Sequence, residues 1–246
     1  SGTFKSFHVL SWACSIALGR EWNGVKVKQS SVLYIAGEGG VGVPRRIKAW
    51  CNKYNSGCSI DDFWTIEHPV FFGESIQVEQ LIRTIHFKQQ SKGVKFGLIV
   101  IDTLARCFSG DENRSDDMNR FVAACDRIKA ATGATVLVVH HSGKNTDKGA
   151  RGSSVMRAAC DFEFSVTRAE ISKSALILEC TKAKDESESQ TQMFELDEKH
   201  LFVDGDGDNI SSLVCSIEGQ EPPEENTTDI KLGKNEHQVW QVIRSR

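Results

Sequence analysis

The sequence lacks any apolar run approaching the ~20 residues that a membrane-spanning helix needs, which excludes an integral helical membrane protein. It also lacks a basic opening segment that leads into an apolar stretch, so nothing marks it for secretion, and Ser1 reads as a start inside a longer chain. The eight cysteines, Cys14, Cys51, Cys58, Cys107, Cys125, Cys160, Cys180 and Cys215, contain no CxxC pair, which argues against a zinc site. Most sit among small apolar residues, as Cys125 does after Ala123 and Ala124, where free cysteine behaves as a small hydrophobe. That usage predicts a reducing, cytoplasmic setting. An excess of charge is missing too: 30 basic and 33 acidic residues leave a net −3, so contact with nucleic acid has to come from a local basic patch.

What is present is a chain of 246 residues with 39% hydrophobic and 26% charged composition, enough for one large packed domain. Ser31–Ala36, Gly97–Ile101 and Thr135–His140 are short continuous apolar runs, the pattern of central parallel strands covered on both faces. Helical patterns run over Phe7–Leu18, Val43–Tyr54, Gln77–Lys92 and Met118–Ala131. The first is apolar on nearly every side, which suits a helix buried between a sheet and another layer, and Gly19 follows where a C-terminal cap belongs. The alternation predicts an α/β fold with a mostly parallel sheet and a ligand site beyond the carboxyl ends of its strands. After Asp161 the runs shorten and alternate (Phe162–Thr167, Ala175–Cys180, Met193–Leu196), as antiparallel strands do. The core is expected over 1–217, an acidic linker over 218–233 and the start of a further helical domain, of winged-helix type as one option, over 234–246.

One chemistry-bearing motif opens the chain and others fall where those strands end. Ser1-Gly2-Thr3-Phe4-Lys5-Ser6 has the back half of a phosphate-binding loop: a lysine for the terminal phosphates, a hydroxyl for Mg²⁺ and a helix behind them, with Phe4 where glycine is usual. Glu38, flanked by glycines after the first strand, is placed to orient a water that attacks a γ-phosphate. Asp102 ends LIVID as a Walker-B acid does. His140 and His141 close the third run; neighbours on a strand face opposite ways, so they do not chelate one ion, and one of them is placed to sense the γ-phosphate. Lys148–Ser154 reads as a flexible cationic loop in which Arg151 is a candidate arginine finger, with Arg157 competing. The loops Phe108–Asp117 and Ser142–Ser153 are candidates for gripping DNA. Asp204–Asp208 has the rhythm of a calcium loop, but Cys215 stands where the closing glutamate belongs, so a tight acidic turn is expected.

SGTFKSF, VLYIAGEGGVGVPRRIKAW, LIVIDTLARCFSGDEN, VLVVHHSGK and GARGSS, in this order, resemble the RepA-type hexameric helicase ATPases of plasmids and phages, within the RecA and DnaB-like class. The resemblance spans roughly residues 1–166. It implies a RecA-like P-loop ATPase core, ATP and Mg²⁺ as cofactors, a ring of subunits and single-stranded DNA in its channel. Gly2, Thr3, Phe4, Lys5 and Ser6 would then bind the phosphates, Ser6 and Asp102 the metal, Glu38 would be the base, His140 or His141 the sensor and Arg151 the neighbour's finger. A DNA-binding replication initiator or a recombinase on the same core is the alternative.

Overall fold

The computed structural model describes residues 2–40, 42–141 and 151–223, with the backbone alone for 151–153. The expected linker (218–233) from residue 224 on, the expected helix over 234–246 and the loop over 142–150 lie outside the described residues. Four parallel strands, β1 (Ser31–Ala36), β2 (Phe63–Ile66), β3 (Phe96–Asp102) and β4 (Thr135–Val139), form a sheet in the order β2-β1-β3-β4. Helices α1 (Lys5–Leu18) and α2 (Gly42–Tyr54) cover one face, and α3 (Ser75–Lys92) and α5 (Ser115–Thr132) the other, with the short α4 (Leu104–Cys107) after β3. Every residue of β1 is buried, so a run without alternation is what the position demands. The expected strand over 135–140 differs: β4 lies at the sheet edge and is mostly half-buried, because no strand pairs with its outer side among the described residues.

A second sheet, antiparallel and in the order β5-β6-β7-β8, is built from β5 (Phe162–Arg168), β6 (Ala175–Ala183), β7 (Gln192–Val203) and β8 (Asn209–Cys215). It packs on α1 and α2, so α1 is enclosed between two sheets, as its all-round apolar sequence predicts. Gly19 takes the left-handed conformation (φ 64°) that caps α1. The acidic turn is present: Asp204 Oδ1 accepts the N–H groups of Asp206 at 3.0 Å and Asp208 at 2.9 Å. Pairing continues to Gln220, whose N–H donates to Met193 at 2.9 Å, three residues beyond the expected end of the core at Ile217. Among the described residues no helix is long and apolar enough to cross a membrane.

Candidate nucleotide-binding site

The chain passes from β1 outward to β2 and then back across β1 to β3, so the crevice beyond the carboxyl ends of β1 and β3 is the switch point of the sheet. Ala36 and Asp102 are register partners there, and the Gly37 N–H donates to the Asp102 carbonyl at 2.7 Å. A β-carbon on Gly37 would stand 2.7 Å from Cys107 Sγ and 3.0 Å from Arg106 Cβ, so glycine is needed for the chain to pass α4. Glu38 emerges directly at the crevice, half exposed, with Arg106 Nε 3.7 Å from its carboxylate.

The amino end of α1 meets the same place. Ser6 Oγ donates to Asp102 Oδ1 at 3.0 Å, and the Tyr34 hydroxyl, from the centre of β1, donates to Oδ2 at 2.5 Å. Asp102 is 2% exposed, and burial pushes its carboxyl above the usual carboxylate range, while Tyr34, Ser6, Arg46 and His141 pull it back. Burial and the adjacent Asp102 push the Tyr34 phenol up, which keeps it a donor. The Ser6 hydroxyl and the Asp102 carboxylate are hard oxygen donors of the kind Mg²⁺ takes, and a cation there would offset the cost of burying that carboxylate.

Lys5 donates Nζ to Thr3 Oγ1 at 2.9 Å, and burial lowers its pKa. The N–H groups of Phe7 and His8 donate to the Phe4 carbonyl at 3.1 Å, which leaves those of Lys5 and Ser6, at the start of α1, to suit an anion. Phe4 sits just before them in the left-handed region (φ 63°, ψ 15°), a conformation that costs a residue with a β-carbon about 1–2 kcal/mol.

The histidine pair divides. His140, named first as the sensor, has Nε2 3.3 Å from Glu112 Oε2 in the loop before α5. His141 belongs to the crevice: burial lowers its pKa, Lys5 lowers it further, and Asp102 and Glu38 oppose them. Its Nδ1 is buried without a hydrogen-bond partner among the described residues, and so is Thr103 Oγ1, next to Asp102. An unsatisfied buried polar atom costs about 1–3 kcal/mol, so two of them beside Asp102 fit a polar ligand. Of the two candidates, His141 is the one that the crevice holds, since consecutive residues past a strand end face opposite ways.

Arg151 does not lie on a flexible loop as expected; it is the first residue of helix α6 (Arg151–Ala159), whose last carbonyls accept Lys182 Nζ, at 2.6 Å from the Arg157 oxygen. Arg157 is bound within its own chain, to Glu163 Oε2 at 3.3 Å and to the Thr181 carbonyl at 3.0 Å. The segment over 108–117, a loop that runs into the first turn of α5, carries Asp111, Glu112, Asp116 and Asp117 against Arg114, an acidic balance that does not favour DNA phosphates. Sequence reasoning missed Tyr34, Arg46, Thr103 and Arg106. Tyr34 alone carried a signal, a polar tip inside an otherwise apolar strand; the others depend on contacts between distant segments.

The fold is RecA-like, with the candidate crevice at the switch point of its parallel sheet. Residues 1–147 match the AAA domain family, and the chain belongs to it. A crystal structure of the RadB recombinase superposes with a TM-score of 0.52 at 16% identity, over 80% of this chain and 83% of that one, a likeness of fold. No curated protein matches the chain.

Proposed function

We propose that this chain hydrolyses ATP and couples the reaction to movement along single-stranded DNA as one subunit of a ring, a hexamer in the RepA-type helicases it resembles. The observation that carries the reading is the 3.0 Å bond between Ser6 and Asp102, with Glu38 two residues beyond the register partner of Asp102. Lys5 and the free N–H groups of α1 bind the phosphates. Glu38, its side chain free to exchange Arg106 for water, orients the attacking nucleophile and receives its proton. Ser6 and Asp102 would hold Mg²⁺, which when bound would neutralise charge on the phosphate oxygens. His141 donates a hydrogen bond to the γ-phosphate, and Arg151 of a neighbouring subunit stabilises the charge that develops in transfer. A recombinase-like filament or a DNA-binding regulator on the same core is the second reading; the likeness in fold to the RadB recombinase favours it.

Electron microscopy with an ATP analogue and single-stranded DNA, paired with strand separation on a forked duplex, tests the two. Closed rings and unwound forks support the helicase. Helical filaments support the recombinase, and intact forks under a DNA-bound ring support the regulator.

A further inference from the structure

Phe4 holds a backbone conformation that phosphate-binding loops ordinarily give to glycine, and no side-chain cap steadies it. The group that does so comes from the other sheet. Arg168, the last residue of β5, donates Nε to the Gly2 carbonyl at 2.6 Å, and its guanidinium carbon lies 4.5 Å from the centre of the Phe4 ring. Phe7 meets the Phe4 ring edge-on at 6.3 Å between centroids, and both pack with Val166 against the buried face of the antiparallel sheet. One planar cation therefore holds the chain on both sides of Thr3, the residue whose hydroxyl accepts from Lys5.

We propose that Arg168 is a positioning residue for nucleotide binding: from the antiparallel sheet of the same chain it anchors Gly2 and locks Phe4 in the left-handed conformation that sets Lys5 and Ser6 at the start of α1. The proposal rests on the phosphate-site reading above. Phe4 is its counterpart. With glycine at position 4 the loop would adopt this conformation without strain, whereas phenylalanine needs a partner for its ring, and the guanidinium fork supplies both a face for the ring and a donor for Gly2. A lysine in its place would keep the charge over the ring but, as a compact point charge, would not serve both partners at once.

The test is a double-mutant cycle read by titration of a fluorescent ATP analogue with Mg²⁺ and by steady-state hydrolysis. Arg168→Ala is expected to weaken binding about tenfold, with the loss in KM and kcat within about twofold, and Arg168→Lys to recover about half of the loss on a logarithmic scale. In a Phe4→Gly background the same Arg168→Ala change is expected to cost less than about threefold. A general loosening of β5 would penalise both backgrounds equally, so equal penalties overturn the proposal, as does parental affinity in Arg168→Ala. Lys5→Ala separates the two levels. If it binds nucleotide like the parent, the phosphate-site reading itself fails; if it loses binding while Arg168→Ala keeps it, only the role of Arg168 fails.

Discussion

In the parallel sheet, β1 buries all six of its residues, whereas β5 of the antiparallel sheet leaves Phe162 47% exposed. The difference follows from what covers each. Helices close both faces of the first sheet, while the second lays one face on α1 and α2 and turns the other outward. The parallel sheet can therefore present Glu38 and Asp102 on a rigid edge. The antiparallel sheet acts on the site at second hand, through α1 and the chain before it. His8 sits at that junction, fully buried on α1, with Nδ1 3.4 Å from Cys215 Sγ of β8 and its ring packed edge-on against Trp12 and Phe194.

That junction is expected to give the largest effect. Burial pushes the His8 pKa down to about 3 from 6.5, so the unfolded chain binds its proton first as the pH falls. Stability from this residue is whole above pH 6.5, declines as the pH drops from 6.5 toward 3, and reaches a loss of at most about 5 kcal/mol, one pKa unit being about 1.4 kcal/mol. Urea denaturation of the parent and of His8→Phe across that window checks it: the parent should lose more, and parallel curves would sink the prediction. Next comes the contrast between the sheets themselves. Ile99→Ala in the centre of β3, fully buried, should cost about 2–5 kcal/mol, while Phe162→Ala on β5 should stay within about 0.5 kcal/mol. Equal losses would erase the comparison. Gly37→Ala forces a β-carbon toward Cys107 and should cost about 1–3 kcal/mol with a fall in ATP turnover, since the strand end that carries Glu38 must shift. The smallest effect belongs to the tie between α2 and β7: Lys53 and Asp197 are 2.6 Å apart but partly exposed, so Asp197→Asn should cost under about 1 kcal/mol and less still in high salt.

The parallel core was legible because strands buried on both faces read as continuous apolar runs, as Val32–Ala36 and Leu98–Ile101 do, and because an acid that ends such a run stands out. β2 escaped: at four residues, Phe63–Ile66 is too short to register a pattern. β8 escaped for another reason. Its serines, Ser211 and Ser212, interrupt the apolar residues that pair it with β7. Lys5, Ser6, Glu38 and Asp102 could be named as candidates because the motifs that hold them are continuous in sequence. His141 was not separable from His140 until the third dimension set one beside Lys5 and the other beside Glu112. Arg168 was invisible, since its partners at Gly2 and Phe4 lie more than 160 residues away.

The central claim is that one crevice between β1 and β3 both binds and cleaves a triphosphate, with Glu38 serving the cleavage alone. Single-turnover hydrolysis of ATP by Glu38→Gln beside the parent, with nucleotide affinity measured on the same samples, tests it most directly. Glu38→Gln is expected to cleave about a hundredfold or more slower than the parent, with affinity kept within about threefold. Cleavage at the parent rate would contradict it.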